Sequence, residues 1–291
     1  MSEVRFRKLA IFGVGLIGGS FAAALKHAGL VDRVVGFGRG QANLARAVEL
    51  GVIDEIAADA RSAVADADLI LVSVPVHATE QILKSIAPYL DAGAAITDGG
   101  STKRDVIAAA RSALGNKLSQ FVPAHPIAGA EHSGVEAAHA KLYSDRTVVI
   151  TPLAETAPDA RARIDAAWRA CGARIVEMTP QRHDEVLAAV SHLPHALAFA
   201  LVHMIASRAQ AGELFSFAGA GFRDFTRIAS SSPEMWRDIF LANRDALLNE
   251  LSDYQSGLAE LMTQLQGGDG AGLQQTFESA RTARNAWLQG K

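Results

Sequence analysis

Residues 124–134, AHPIAGAEHSG, place two histidines and a glutamate in a stretch that is otherwise small and glycine-rich. His125 precedes a proline, which keeps the histidine backbone extended and limits where its ring can point. A neutral imidazole, with a pKa of about 6.5, is a suitable proton acceptor at cytosolic pH. What His125, Glu131 and His132 do therefore depends on what the rest of the chain brings to this loop. His132 and His77 are expected in surface loops.

A glycine-rich turn predicts a partner for such chemistry. GVGLIGGS (13–20) matches G-x-G-x-x-G directly after an apolar strand pattern and before an apolar helix pattern. The first glycine permits a tight turn, the second lets the backbone approach a pyrophosphate, and the third lets helix and strand pack closely. Free N–H groups at the start of the helix then face the phosphates. A glycine turn without a ligand is the alternative. The candidate cofactor contacts are Gly13, Gly15, Leu16, Ile17 and Gly18.

The end of the second strand pattern bears on which dinucleotide binds. NAD-binding folds of this type end that strand with an acid for the ribose 2′-hydroxyl. Here Gly38 stands at that position and Arg39 follows it. A guanidinium can hold a 2′-phosphate with two donors. We therefore expect NADP, with NAD as the alternative if Arg39 is only a solvated surface residue.

Short apolar runs alternate with helical patterns in the first part of the chain. Runs without polar residues, such as LILVSV, indicate a parallel sheet covered by helices on both faces. The strands are predicted at 7–14, 33–38, 69–75, 94–100, 121–125, 147–152 and 173–178.

Only helical patterns follow Thr179. One runs over 183–210 with a kink at Pro194, and another over 233–265 begins at a proline after three serines that could cap it. The prediction is an α/β fold, with a Rossmann-type doubly wound domain over 1–178 and an all-helical domain over 179–291.

Ligands of an open parallel sheet bind beyond the carboxyl ends of its strands. Three such ends stand out, namely SVPV (73–76), TDGGSTK (97–103) and AHPIAGAEHSG. We expect these loops to meet where a nicotinamide would arrive, which makes Val74 and Pro75 candidate cofactor contacts.

Five motifs resemble those of the prephenate and arogenate dehydrogenases of tyrosine biosynthesis, the TyrA family. The resemblance covers most of the chain and implies NAD(P)-dependent oxidative decarboxylation of a cyclohexadienyl substrate. It also implies that the helical domain builds a homodimer. Either prephenate or arogenate could be the substrate, and we expect an enzyme that accepts both; inhibition by tyrosine stays open. The motifs are GVGLIGGS, TDGGSTK, HPIAGAEHSG, SHLPHA and GFRDFTRIASSSPEMWRDI.

The resemblance implies roles for single residues. His125 matches the catalytic histidine that accepts the proton of the substrate hydroxyl, and Ser101 matches a serine that hydrogen-bonds the same hydroxyl. Ser101 could instead, or also, cap the helix that follows it. Arg227 matches an arginine that binds the substrate carboxylate through two donors. His195 matches a further substrate-site histidine, although His192 and His195 could simply be a core-facing pair.

Three further residues match positions that border the site in the family. Acids at Glu131 and Asp224 could form ion pairs that close the site, or could contact the amine of arogenate. Trp236 matches an aromatic residue that reaches the site from the partner subunit. A buried tryptophan at a subunit interface is the alternative.

Two rival classes share part of this pattern. β-Hydroxyacid dehydrogenases need a catalytic lysine early in the helical domain, and the chain has no lysine between Lys141 and Lys291. A redox-sensing module that binds NAD(P) and signals through a helical dimer would need the glycine turn. It would not need the four residues that the resemblance assigns to catalysis and substrate binding, namely Ser101, His125, His195 and Arg227, together.

Composition excludes other partners. A net charge of −3 over 291 residues provides no basic face for nucleic acid. The single cysteine, Cys171, suits a reducing compartment. The uncharged run 9–25 carries four glycines and is short for a membrane span. We expect a cytoplasmic protein without a membrane or metal partner.

Overall fold

The structure is a computed structural model and describes residues 5–129 and 132–290. Its strands are β1 (Phe6–Phe12), β2 (Val31–Phe37), β3 (Glu55–Ile56), β4 (Leu69–Val72), β5 (Ala95–Asp98), β6 (Phe121–Val122), β7 (Ala124–Pro126), β8 (Thr147–Ile150) and β9 (Arg174–Glu177). Its α-helices are α1 (Leu16–His27), α2 (Gln41–Glu49), α3 (Ala60–Val64), α4 (Thr79–Ile86), α5 (Arg104–Leu114), α6 (Pro158–Ala170), α7 (Pro180–Leu187), α8 (Leu193–Ala206), α9 (Ala211–Ser216), α10 (Ala220–Thr226), α11 (Pro233–Ala242), α12 (Arg244–Gln266) and α13 (Gly270–Gln289).

The first six strands form a parallel sheet in the order β3-β2-β1-β4-β5-β6. Strand order reverses between β1 and β4, and in such a sheet a crevice opens there at the carboxyl ends. Successive side chains of β1 point to opposite faces, so Leu9 and Ile11 join one apolar core while Ala10 and Phe12 join the other. The predicted Rossmann-type sheet with two covered faces is confirmed.

The last three strands depart from that pattern. They form a separate sheet in the order β7-β8-β9, in which β7 runs antiparallel to β8. The single strand predicted over 121–125 is therefore wrong: it is two strands, divided at Pro123. Proline has no N–H to donate to a continuing ladder. The division moves His125 from the large sheet to β7, where it pairs with Val149.

The helical part begins after β9, which is the last strand of the described residues. A π-helical turn, Ala188–His192, separates α7 from α8, so the predicted irregularity lies just before Pro194. The helix predicted over 233–265 is two helices, α11 and α12. Its start is as predicted, because the Ser232 side chain accepts from the Met235 N–H at 3.3 Å.

The chain forms two compact units, one up to Arg244 and one from Asp245 onward. One helical run of the described residues, Pro180–Ala206, is long and apolar enough to cross a membrane by length and composition. The same run carries His183 and Asp184, which are buried and hydrogen-bonded to His125 and to the backbone N–H of Lys103. Core helices of folded domains can be equally long and apolar.

Candidate active site

The glycine turn has the geometry that the motif predicts. Gly13 has a φ of +96°, a conformation that favours glycine. A β-carbon on Gly18 would lie 2.3 Å from the Gly13 carbonyl oxygen, so β1 and α1 approach as closely as the third glycine requires. At Gly15 a β-carbon would meet no atom within 4 Å. Helix α1 begins there with no side-chain cap and no acid in its first turn. This open, positively polarised helix end fits a pyrophosphate.

Three of the predicted loops converge at Gly99, which follows β5. A β-carbon there would lie 2.9 Å from Ile17 Cγ2, 3.8 Å from Ser73 Cβ and 3.9 Å from Pro126 Cδ. These atoms belong to the first turn of α1, to the end of β4 and to the residue after His125. The residue after the catalytic candidate and the first turn of α1 therefore lie on either side of Gly99.

The other candidate cofactor residues lie around the same turn. Val74 Cγ1 is 3.2 Å from the position of a β-carbon on Gly13, and Pro75 precedes the 3-10 turn Val76–Ala78. Arg39 is exposed just beyond the end of β2. The residues at this end of the sheet thus fit a dinucleotide.

His125 is the first member of a buried hydrogen-bonded series. Its Nδ1 lies 2.8 Å from His183 Nε2, and His183 Nδ1 lies 2.7 Å from Asp184 Oδ1. The Asp184 carboxylate also accepts the backbone N–H groups of Lys103 at 2.8 Å and Arg104 at 2.9 Å. The sequence patterns missed His183 and Asp184. In the sequence they are only two adjacent polar residues at the start of a helical pattern, and their burial is visible only in the structure.

The direction of these hydrogen bonds follows from Asp184. Burial raises the pKa of its carboxyl, but hydrogen bonds from His183 and from two backbone N–H groups outweigh burial, and the net shift is downward. An ionised carboxylate only accepts, so His183 Nδ1 donates to it and His183 Nε2 accepts from His125 Nδ1. The remaining nitrogen of His125, Nε2, therefore carries a lone pair.

Electrostatics also keep His125 neutral. Burial, followed by the nearby His183, Lys103 and His192, holds the pKa of His125 well below its usual value. Burial likewise lowers the pKa of His183. A neutral imidazole with a free Nε2 lone pair can accept a proton at neutral pH.

A buried ion pair holds the two loops of the site together. The Asp98 carboxylate, at the end of β5, pairs with Lys103 Nζ and accepts the Gly100 N–H at 2.8 Å and the Ala124 N–H at 2.9 Å. Lys103 Nζ also donates to the Ala124 carbonyl at 2.8 Å. This pair fixes the turn after β5 against the strand that carries His125.

Ser101 lies in that turn and does not cap the next helix. The residue at the N-cap of α5 is Lys103, and no side chain of α5 caps it locally. The Asp184 carboxylate supplies the cap from a distant part of the chain. The alternative role of Ser101 as an N-cap is therefore wrong, and its hydroxyl stays available for another partner.

A second group of candidates gathers around Trp236. The ring of His195 stacks on its indole, with centroids 3.6 Å apart and planes 23° apart, and His192 meets it edge-on at 6.0 Å. His195 Nδ1 donates to the Ser191 carbonyl at 2.8 Å, which leaves Nε2 as an acceptor. Burial and, to a smaller degree, the charge of Arg227 lower the pKa of His195. The structure thus brings His195 and Trp236 into contact within one chain, and Arg227 lies near enough for its charge to act on His195.

The remaining candidates are less defined. Asp224 is exposed on α10, three residues before Arg227. Glu131 lies outside the described residues. His77, expected in a surface loop, is exposed in the 3-10 turn Val76–Ala78 and bonds to Asp238 at 2.6 Å. No group of three or more His, Cys, Asp or Glu side chains suited to a metal ion occurs within 5–129 and 132–290.

Comparison with known proteins decides the family. Residues 21–177 match the family described as prephenate dehydrogenase, nucleotide-binding domain, and residues 179–279 match prephenate dehydrogenase, dimerization domain. The chain belongs to the prephenate dehydrogenase family. The resemblance seen in the five motifs is confirmed, and the protein is an oxidoreductase with an N-terminal nucleotide-binding domain.

Individual relatives of the prephenate dehydrogenase family agree with this assignment. Cyclohexadienyl dehydrogenase of Zymomonas mobilis is 38% identical over 97% of this chain and 96% of its own. Prephenate dehydrogenase of Bacillus subtilis is 36% identical over 95% of this chain and 75% of its own. The crystal structure of A. aeolicus prephenate dehydrogenase with hydroxyphenyl propionate and NAD+ is 34% identical, with a TM-score of 0.89 over 96% of this chain and 97% of that one. Membership of an enzyme family favours catalysis over a redox-sensing module.

Proposed function

We propose that this member of the prephenate dehydrogenase family oxidises and decarboxylates both prephenate and arogenate in tyrosine biosynthesis, with NADP or NAD as hydride acceptor. The observation that carries the proposal is the hydrogen-bonded series from His125 through His183 to Asp184, together with the approach of Pro126, next to His125, and Ile17 of the first turn of α1 to Gly99. The nicotinamide, when bound, supplies the hydride acceptor.

His125 acts as the proton acceptor in this proposal. Its Nε2 takes the hydrogen bond, and then the proton, of the hydroxyl on C4 of the substrate. Electron density on that oxygen assists departure of the C4 hydrogen with both electrons of its bond. The bond to the ring carboxylate then breaks, CO2 leaves, and its electron pair completes the aromatic ring. The positive charge that develops on His125 is stabilised through His183 by the buried Asp184 carboxylate.

The substrate contacts divide between two groups of residues. Ser101, on the turn fixed beside His125, bonds the same hydroxyl. Arg227 binds the side-chain carboxylate through two donors, and His195 offers its Nε2 nearby, as supported by the electrostatic influence of Arg227 on His195. The indole of Trp236 holds the His195 ring in place by stacking.

Two acids are assigned to the border of the substrate site. Asp224 and Glu131 either pair with cations to close the site or bind the amine of arogenate. The exposed position of Asp224, three residues before Arg227, supports a place at the entrance. Comparing kcat/KM for prephenate and arogenate in Asp224→Asn separates the two roles, because loss of an amine contact lowers only the arogenate value.

NADP is the proposed cofactor, with NAD as the alternative. The position after β2 that would carry an acid is Gly38, and the exposed Arg39 follows it. A guanidinium there favours a 2′-phosphate, and the missing carboxylate removes the usual partner of a 2′-hydroxyl. A ratio of kcat/KM values that favours NAD strongly would overturn this choice.

A cytoplasmic homodimer is the proposed form of the enzyme. Large apolar side chains lie exposed in the helical part of the chain, including Phe217, just after α9, at 82% and Leu241 on α11 at 65%. Helix α13 buries no residue within the chain, which supports a second subunit as its covering partner. The proposed domain boundary is at 178/179, where strands end and the two family matches meet. Equilibrium sedimentation tests the dimer.

His125→Asn tests the proposed chemistry directly. We expect kcat/KM for prephenate to fall by about two to four orders of magnitude because the proton acceptor is lost. The Kd of the oxidised cofactor should stay within about threefold, because the glycine turn is unchanged. His132→Asn, which alters an exposed histidine of the same loop, is the matched control and should retain wild-type activity. Substantial activity in His125→Asn would overturn the assignment of the proton acceptor.

A further inference from the structure

One hydrogen bond joins the cofactor side of the site to a helix of the substrate side. His77, in the 3-10 turn Val76–Ala78, places its Nδ1 2.6 Å from Asp238 Oδ2 on α11. The turn and the helix pack directly against each other. The His77 side chain is 47% exposed and that of Asp238 only 7%. The bond is thus anchored at a buried carboxylate and can be altered from its exposed end.

Asp238 is ionised in this arrangement. Burial raises the pKa of its carboxyl, but hydrogen bonds from Arg237 and His77 outweigh burial and the net shift is downward. Arg237 donates to Oδ1 through Nε at 2.8 Å and Nη2 at 2.6 Å. The other oxygen, Oδ2, therefore accepts from His77 Nδ1.

The two partners lie next to residues with opposite duties in the proposed reaction. His77 lies three residues after Val74, which borders the glycine turn where the nicotinamide would arrive. Asp238 lies two residues after Trp236, whose indole stacks on His195. A movement of the turn relative to α11 would change the distance between the two reacting molecules.

A second attachment holds α11 at its other end. The side-chain amide of Asn243, just after the helix, donates to the Asp184 carbonyl at 2.7 Å and contacts His192 Nδ1 at 3.1 Å. That end is therefore fixed to the residues behind His125. The bond between His77 and Asp238 fixes the middle of the helix to the cofactor side.

We propose that His77 and Asp238 form a positioning contact that sets the separation between the nicotinamide-side turn and the Trp236–His195 stack. This inference rests on the proposed function for its kinetic consequence. It assigns neither residue a role in proton transfer. Hydride transfer depends on the contact, whereas cofactor affinity, determined at the glycine turn, does not.

Two substitutions at the exposed partner test the proposal. His77→Leu removes the donor, whereas His77→Asn places an amide N–H near the position of Nδ1. We expect kcat for prephenate to fall about tenfold in His77→Leu and to recover to within about threefold of wild type in His77→Asn. The Kd for NADP+ should change less than about threefold in both. His27→Leu, at an exposed histidine that ends α1, controls for the gain of an apolar side chain.

A double variant separates this contact from independent damage. If the bond is responsible, Asp238→Asn combined with His77→Leu should be no slower than the slower single variant. Effects that multiply would overturn the proposal, as would wild-type kcat in His77→Leu. Thermal unfolding of each variant identifies a loss of fold, and the His77 pair decides the question if Asp238→Asn does not fold.

A binding measurement distinguishes failure of this proposal from failure of the proposed function. NADP+ should change the part of the tryptophan fluorescence that is absent in Trp236→Phe, and His77→Leu should abolish that change. The measurement needs no turnover, so an enzyme inactive on prephenate and arogenate would refute the function and leave this test intact. A Trp236 signal that ignores the cofactor in wild type, or responds equally in His77→Leu, would overturn the positioning contact.

Discussion

Acid should destabilise this enzyme in part through His192, and His192→Asn isolates that contribution. His192 is 1% exposed, and its Nδ1 lies 3.1 Å from the side-chain amide nitrogen of Asn243. An amide N–H donates, so Nδ1 must be the unprotonated acceptor. Protonating it would set two donors against each other in a buried place.

The magnitude follows from the pKa of His192, which burial lowers from 6.5 to about 4. Since the folded-state pKa lies below the unfolded one, the unfolded chain binds the extra proton between these values. The stability that depends on a neutral His192 in the folded state is fully present above pH 6.5 and is lost as the pH falls toward 4. At about 1.4 kcal/mol per unit, the difference amounts to about 3 kcal/mol of unfolding free energy.

Urea unfolding of wild type and His192→Asn between about pH 7.5 and pH 4.5 measures this term. Asparagine can still accept from Asn243 and has no titrating group, so its unfolding free energy should fall less steeply with acid. The two slopes are compared at one protein concentration, because dissociation of the proposed dimer adds to apparent stability. Equal losses in both proteins over this range would refute the reasoning.

Three further changes have definite expected results. His183→Asn should lower kcat by about tenfold to a hundredfold, because the shorter side chain does not reach His125, which then loses the acceptor that selects its tautomer. The longer side chain of His183→Gln should recover part of the rate. Gly18→Val should lower the unfolding temperature since its β-carbon would meet the turn, whereas Gly15→Val should leave that temperature unchanged and weaken cofactor binding measured by titration. Arg39→Gln should raise the KM for NADP+ about tenfold and leave that for NAD+ unchanged; equal changes for both cofactors would contradict the 2′-phosphate assignment.

Local rules were sufficient to predict the glycine turn and the start of α11. The turn needs only a strand, three glycines and a helix within a few residues, and the structure shows the positive φ at Gly13 and the close approach at Gly18. The cap at Ser232 likewise uses a side chain and an N–H three residues apart. Both features depend only on residues that are close together in the sequence.

Distant partners could not be predicted in the same way. His125 and His183 are 58 positions apart, and no spacing pattern links a strand residue to a helix residue at that separation. His125 belongs to the second sheet because it pairs with Val149, which local propensity does not predict. The family resemblance supplied the candidate residue, but the groups that orient it required the fold.

The same distance explains why the alternative role of Ser101 is wrong. A serine before a helix is a good N-cap by local rules, and only tertiary structure reveals that Asp184 already accepts the first N–H groups of α5. Because the cap comes from another helix, no polar side chain near the start of α5 is needed for it. It therefore leaves the Ser101 hydroxyl free while it places a carboxylate behind His183.

Asp184 consequently joins folding and chemistry in one group. Its carboxylate caps α5 and orients His183, and in the proposed reaction it compensates the charge that His125 would gain on accepting a proton. The burial that keeps His125 neutral, and hence able to accept that proton, is the same burial that lowers the pKa of His192. A variant that opened this cluster to water would resist acid better and would lose proton-accepting geometry at the same time. Acid lability is thus the physical consequence of a dry site built around neutral histidines.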